Sequence, residues 1–491
     1  MSYKSIISIT SEDIDNKITI MGWIDTARFS AKTAFLKIYD SWRSHLAPLQ
    51  IVFDLTKLTS EQKTDLTKIT SSCSISVTGT LVSSPKPAQP YELQGTDFKI
   101  LGIVTEPATF PIAKAELSME HLRCHPHLEC FAQSKSAIYG IRSLLLESFE
   151  KFFREHEFTK TDMPLITFSE CEGGCQPMQA TLLLTSGVVS DIPVLEKSSK
   201  VDFSKVDFSK DFFGSKASLT VSSQLELETH LPLGKVWTMT RAVRGEPSAT
   251  SRHLAEFSML EIELPFIDSA QDVLKMSEKL IAQSIQYVIS DKYGSLALEM
   301  LSKKFSVDIK QKLTDYISKP FEIITHRDAV TLLLELEKDG KVSFEKSPDY
   351  SDDMSTEHER YLTDVYFKHP VIITQYPKEV KAFYMPVVGS FTSPTSGKFV
   401  DYVDCFDILV PGVGELVGGS ARIDDYSELV KRIDELGLEK KPLEFYSDLR
   451  KYGSVKHGGM GMGFERLIKF ITFADSVKDC VPFPRFFRSG K

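Results

Sequence analysis

The run SMLEIELPF, residues 258–266, constrains the fold more than any other stretch of the chain. Leu260, Ile262 and Leu264 alternate with Glu261 and Glu263. In a strand the three apolar side chains share one face and both carboxylates share the other. Neighbouring carboxylates repel, and they persist side by side where solvent, a cation or an ammonium group offsets them. A second strand-like run, KVWTMTRAV, precedes them, and the stretch RGEPSATSRHLAEF (244–257) connects the two. The pair reads as an antiparallel hairpin whose loop is dense in arginine, glutamate and histidine and closes on Phe257. Arginine forks match phosphate oxygens, and a phenylalanine ring stacks on a planar base. An exposed ion-pair network is the alternative reading of this loop.

With 491 residues and 42% hydrophobic content the chain can bury large cores, and its length predicts roughly two to four domains. No stretch approaches the ~20 uncharged apolar residues of a membrane helix. The start, MSYKSIISITSEDIDNKITI, has neither an apolar signal core nor an Arg-rich presequence, so a cytoplasmic location is expected. Seven scattered cysteines fit reduced thiols better than a disulfide framework. The segment HLRCHPHLEC (121–130) is rich in metal-ligand types, but no second ligand pair lies nearby, and it reads as part of a linker. A net charge of −9 does not advertise nucleic acid, yet only local patches must meet phosphates.

Five short β-like runs, ITIMGWID, AFLKIYD, LQIVFDLT, CSISVTGTLV and DFKILGIV, fill residues 1–105 and predict a small closed barrel of the oligonucleotide-binding type. Residues 106–134 read as a linker or hinge. From residue 136, Ile138, Ile141, Leu145, Phe149 and Phe152 recur at helical spacing, and a second helix is expected over 269–289. Strands lie between and after them, so residues 135–491 read as a mixed α+β domain. Polar insertions are expected near 186–218, which holds the tandem repeat KVDFS at 200–204 and 205–209, and near 387–400. The stretch SFEKSPDYSDDMSTEHER (343–360) reads as loop.

Two further segments bear on the charged hairpin. VDCFDILVPGVGELVGGSAR (403–422) reads as a strand running into a Gly-rich turn, with Asp407 and Glu415 beside Gly418 and Gly419. Carboxylates beside bare backbone suit a magnesium nucleotide. KHGGMGMGFERLIKF (456–470) reads as a Gly-rich start to a helix with Arg466 in its first turn. The helix terminus and the guanidinium both favour polyphosphate there.

Taken in order, EFTKTDMPLI (157–166), VRGE…RHLAEF and GMGFERL (461–467) resemble the three signature motifs of class II aminoacyl-tRNA synthetases. With the N-terminal barrel, the pattern is similar to subclass IIb. SECEGG, VSSQLELET, TSRHLAEF, YPKEVKAFYM, GVGELVGGSAR and VPFPR resemble the asparaginyl group within it. The resemblance implies an α+β fold: an OB-fold barrel that binds the anticodon, and a catalytic domain built on an antiparallel sheet flanked by helices. It implies activation of L-asparagine with ATP and Mg2+, transfer to tRNA(Asn), and a homodimer formed through the segment carrying Pro164.

Residue by residue, the resemblance implies that Arg244 binds the α-phosphate and that Glu246 and Phe257 hold the adenine. Arg252, His253, Gly463 and Arg466 bind the rest of ATP, with Arg244 and Arg466 as the catalytic pair. Asp407 and Glu415 bind magnesium. Glu172 and Gln224 hold the ammonium and backbone end of the amino acid, beside Gly418. Arg422 reaches its side-chain carbonyl. Glu261 takes the position that reads the amide, and Leu227 stands where aspartate-specific relatives carry a lysine. Arg28, Phe35 and Gln50 match anticodon-reading positions, with barrel core as the alternative for Phe35. An aspartyl-tRNA synthetase, a synthetase-derived asparagine synthetase and a catalytically dead, nucleic-acid-binding scaffold are the rival functions.

Overall fold

The computed structural model describes residues 3–85, 89–113, 117–169, 177–184, 206–248 and 250–490. The chain divides into two units: residues 1–145 with 287–310, and residues 146–286 with 311–491.

In the first unit, strands β1 (Lys17–Phe29), β2 (Thr33–Tyr39), β3 (Leu49–Asp54), β4 (Ser74–Ser83) and β5 (Tyr91–Gly102) close a barrel in the order β1-β2-β3-β5-β4. The ring is completed by β4 against β1, and β3 runs parallel to β5. The alternation that predicts the strands also fills the barrel. Ala34, Leu36 and Ile38 of β2 are fully buried with Ile20, Ile51, Phe53, Val77 and Leu93, while the residues between them face outward. Phe35 is therefore outside the core, at 39% exposure. Exposed Arg28 lies directly opposite Phe35 across the β1–β2 pair. Gln50 is opposite Lys37, two residues further along β2, so all three positions share one outer face. The Gln50 amide donates to Glu92 at 3.2 Å.

The segment read as a linker is not featureless. It contains a short helix, Met119–Arg123, whose Met119 and Leu122 are buried. A buried ion pair, Lys135 to Glu129 at 3.0 Å, ties its end to the following helix, Gln133–Glu155. Two apolar anchors within one short turn are too few to give a periodic signal in the sequence.

The second unit is built on an eight-stranded sheet. Its strands are β6 (Phe158–Lys160), β9 (Lys235–Val243), β10 (Glu256–Pro265), β11 (Glu322–Thr325), β12 (Val371–Thr374), β15 (Cys405–Val410), β16 (Gly414–Ala421) and β17 (His457–Gly463). Two small ribbons join β7 (Ile166–Thr167) to β8 (Ser218–Leu219), and β13 (Val387–Thr392) to β14 (Phe399–Val403). The order is β11-β12-β15-β16-β17-β10-β9-β6, antiparallel except for the two edge pairs β6–β9 and β11–β12. The expected hairpin is present as β9 and β10, and the expected second helix runs from Ala270 to Ser290.

Three local readings are corrected. The polar excursion at 387–400 is the β13–β14 ribbon. The Gly-rich turn around Gly418 is the middle of strand β16, and the Gly-rich start of the last helix is the whole of strand β17. Glycine is poor in strands because it packs nothing, which is why the sequence reads as turn. Here the missing side chains are the reason the strand fits. Met460 and Met462 bury their side chains, while Gly459 and Gly461 lie opposite Glu263 and Glu261 of β10. A Cβ on Gly459 would come within 2.1 Å of both a Glu263 oxygen and the Ile262 carbonyl. Gly459→Ala is expected to destabilise this unit by about 1–3 kcal/mol, the usual cost of overpacking a tight interior. An unchanged urea midpoint would refute that.

Candidate active site

Strands β10, β15, β16 and β17 contribute to the wall of a cavity of about 550 Å³. Arg244 follows directly after β9, and its guanidinium donates to the Val221 carbonyl at 3.3 Å and lies 5.3 Å from the centre of the Phe257 ring. Glu246, Arg252 and His253 line the cavity from the hairpin loop. His253 Nδ1 meets the Thr250 hydroxyl at 2.6 Å and that of Ser248 at 2.9 Å. Burial, with the charges of Arg466 and Arg252, lowers its pKa, so the ring is neutral at neutral pH. Gly463 caps the N-terminus of the helix Phe464–Thr472, and Arg466 sits in that helix's first turn.

Arg252 is held on one side by Glu359 at 2.7 Å and by the Thr356 hydroxyl. The pair packs on bare backbone: a Cβ on Gly414, which adopts φ +86°, would fall 2.5 Å from the Glu359 carboxylate. Burial lifts Glu359 to about 7 despite Arg252, with Glu415 adding to the rise.

Asp407 and Glu415 converge on Gly418. One oxygen of each lies 3.5 and 3.4 Å from where a Gly418 side chain would begin. The other oxygen of Asp407 accepts from Lys381 at 2.6 Å, and that of Glu415 is 3.3 Å from Arg466. Burial pushes Asp407 up to about 6 against the pull of Lys381, with the charge of Glu415 adding to it. Against its burial, Arg466, Lys381 and the hairpin arginines instead hold Glu415 below its ordinary value. Two hard oxygen donors over a glycine form a set that fits a magnesium ion.

The far end of the cavity is a buried charge network. Glu261 accepts from the Ser222 hydroxyl and from the Ser223 amide at 3.0 Å. Arg422 lies 2.6 Å from Glu263 and 3.4 Å from Glu228, with the Tyr384 ring 4.9 Å from its guanidinium carbon. Gln224 donates to Glu263 at 3.2 Å and accepts from the Tyr384 hydroxyl at 3.3 Å. Glu228 in turn takes Arg450 at 2.8 Å, His457 at 2.9 Å and the Tyr446 hydroxyl at 2.9 Å. Leu227 is fully buried.

Every site position expected from the hairpin, β15, β16 and the last helix therefore meets in this one cavity. Glu172 lies outside the described residues. Arg28, Phe35 and Gln50 belong to the barrel unit. Sequence reasoning assigned nothing to Lys381, Tyr384 or Glu359, which also line the cavity. Glu359 sits in a helix, Thr356–Arg360, inside the stretch read as loop; the signal was Ser355, a residue type that favours the N-cap, directly ahead of it.

The sequence profile of the family described as tRNA synthetases class II (D, K and N) matches residues 118–486. The asparagine–tRNA ligase of Photobacterium profundum is 36% identical over 494 aligned positions, covering 100% of both chains. That of Pectobacterium atrosepticum is 37% identical over 96% of this chain and 95% of its own. The chain belongs to the asparagine–tRNA ligases. Among solved structures, asparaginyl-tRNA synthetase from Pyrococcus horikoshii in complex with asparaginyl-adenylate is similar at a TM-score of 0.79 and 28% identity, covering 99% of this chain and 98% of that one. The Entamoeba histolytica asparaginyl-tRNA synthetase is similar at 0.78 and 27%, with the same coverage. In this asparagine–tRNA ligase family member the fold and the family agree from the barrel to the last helix.

The network at the amino-acid end makes a pH-dependent prediction. Burial alone would raise Glu228, but Arg450, His457 and Arg422 outweigh it and hold the carboxyl at about 2, below its ordinary 4.5. A depressed carboxylate stabilises the fold fully above its unfolded pKa and loses that contribution as pH falls through the folded one. Glu228→Gln, which leaves buried cations undercompensated, is expected to cost about 3–5 kcal/mol at neutral pH. The gap to the parent chain should shrink between about 4.5 and about 2. Thermal unfolding across that range checks it, and a gap constant with pH would count against the network.

Proposed function

We propose that this chain activates L-asparagine with ATP and transfers it to the 3′ end of tRNA(Asn). One observation carries the reading. A single cavity presents Arg244 and Arg466 beside the Asp407–Glu415 pair, and Glu261 with Arg422 at its other end.

Activation is an in-line attack of the asparagine carboxylate on the α-phosphorus of ATP. A C–O–P linkage forms, the bond from the α-phosphorus to the bridging oxygen breaks, and pyrophosphate leaves with that oxygen. No proton needs to move. Both reactants are anionic, so the work of the site is to offset charge and hold the line of attack. Arg244 takes the α-phosphate, where charge develops in the transition state. Phe257 stacks on the adenine, and Glu246 accepts from its amino group. Arg466, His253 and Arg252 serve the outer phosphates with the backbone of Gly463, and Arg252 must share its charge with Glu359 to do so. Asp407 and Glu415 would hold Mg2+, which when bound neutralises phosphate charge. In the second step the terminal ribose hydroxyl of the tRNA attacks the adenylate carbonyl and AMP leaves.

At the amino-acid end, Gln224 and Glu172 receive the ammonium and backbone atoms, next to Gly418. A carboxamide offers an N–H donor and a carbonyl acceptor where aspartate offers only acceptors. Glu261 accepts from the amide and repels a carboxylate. Arg422 serves the carbonyl, its own charge already shared with Glu263 and Glu228. Pyrophosphate exchange measured with all twenty amino acids should respond to asparagine above the rest. Response to aspartate with ammonia, or to none, would overturn the reading. Glu261→Gln should narrow the ratio of kcat/KM for asparagine over aspartate by at least tenfold, the scale of one lost charged contact.

The barrel reads the anticodon. Unpaired bases stack on exposed aromatic rings and are read at their edges by polar side chains, which suits Phe35, Gln50 and Arg28 on one outer face. Phe35→Ala should raise KM for tRNA, by roughly tenfold for one lost stacking contact, and leave tRNA-independent exchange intact. Loss of exchange would mean damage to folding instead. The chain works in the cytoplasm, where ATP and tRNA are at hand, as a homodimer through the segment with Pro164. That segment flanks the edge strand β6 and leaves Leu165 and Phe168 exposed; a sedimentation mass of one chain would remove the dimer.

A further inference from the structure

Lys381 is the cation at this site that the reaction leaves without a task. It follows the 3-10 turn Lys378–Val380 and lies at the cavity wall. Its ammonium donates to Asp407 at 2.6 Å on one side and sits 3.8 Å from the centre of the buried Tyr376 ring on the other. A contact this short to a carboxylate, backed by an aromatic face, fixes the charge in place. Arg466 stands in the same relation to Glu415, at 3.3 Å. The two carboxylates and the two cations thus form a neutral quartet, in which each carboxylate keeps one oxygen turned toward Gly418.

We propose that Lys381 is a positioning residue, a tethered counter-ion that holds Asp407 aimed over Gly418 and cancels its charge, so that divalent metal occupies the pair together with a nucleotide and not before it. This rests on the reading of Asp407 and Glu415 as the magnesium carboxylates. A free divalent ion that meets this quartet must shed water for oxygens whose charge is already balanced. A triphosphate changes the sum: it draws Arg466 to its own oxygens and brings several negative charges of its own, and the metal then has partners on both sides. Lys381 stays on the second oxygen of Asp407 throughout and keeps that carboxylate from swinging away. A salt bridge with only a structural task would affect unfolding and leave metal affinity where it was.

The test uses Mn2+ as the probe, with free ion counted by electron paramagnetic resonance against the full-length chain. Without nucleotide, Lys381→Met and Lys381→Gln should each bind Mn2+ at least about tenfold more tightly than the parent, the least expected from removing a unit charge a few ångströms from the ion. Lys381→Arg, which restores the charge, should return to the parent value. Far-UV circular dichroism qualifies each variant as folded. If the folded neutral variants bind Mn2+ no more tightly than the parent, the proposal fails. It also fails, whatever the variants do, if the parent chain binds Mn2+ alone as tightly as with a β,γ-imido analogue of ATP. Asp407→Asn separates the two readings. If it leaves Mn2+ binding with the analogue unchanged, the carboxylates are not the metal pair; if it weakens that binding while Lys381→Met has no effect, only the role of Lys381 is lost.

Discussion

Carboxylates on the inner face of a sheet are costly to bury, because desolvation penalises each charge by several kcal/mol. The second unit carries Glu261 and Glu263 of β10 in that condition, with Glu228 of the helix Gln224–Glu228 buried beside them, all within 1% of complete burial. Two arrangements make this possible. Strand β17 withdraws its side chains, so Glu261 and Glu263 lie over glycine and not against another residue. Arg422 and Arg450 then bring guanidinium groups to Glu263 and Glu228, while Ser222 and Ser223 donate to Glu261. Without the bare strand the acids have no room, and without the arginines Glu263 and Glu228 have no opposite charge beside them.

The same division of labour recurs at the other end of the cavity with opposite purpose. Around Arg422 the charges are closed upon one another, its guanidinium shared between Glu263 and Glu228 at the cavity wall. Around Gly418 the acids keep one oxygen each turned outward. A buried network of fixed hydrogen bonds and an open one able to exchange partners sit on neighbouring strands, β10 and β17 on one side and β15 and β16 on the other.

Much of this was legible in the chain. Alternation in AFLKIYD and in MLEIEL gave strand, face and burial together, because a period of two has a single geometric meaning. The charged hairpin loop and the Arg466 helix were found because arginine next to glycine or a helix start has few uses. The GGMGMG and VGGSA runs were misread as turns, since glycine's fit to a strand depends on what its neighbours place over it: Glu261 and Glu263 lie far from GGMGMG in sequence, and Asp407 comes opposite Gly418 only through the β15–β16 pairing. Lys381 and Glu359 escaped for a related reason. A lysine in YPKEVKAFYM and a glutamate in STEHER look like solvated charges until the fold buries them against Asp407 and Arg252.

Strand β17 has one more effect, on how the molecule comes into being. It lies between β16 and β10, yet its residues, His457–Gly463, come after those of both neighbours in the chain. Until they dock, the β9–β10 hairpin and the β15–β16 pair are separate pieces with raw edges and with acids on β10 still in water. The sheet then closes from its middle, by insertion of a strand between two waiting halves, and its pairings span most of the unit's length. Such long-range closure is slow and exposes unpaired edges meanwhile. The two halves of the sheet therefore depend on one late strand to join them, and their edges stay exposed to wrong partners until it is in place.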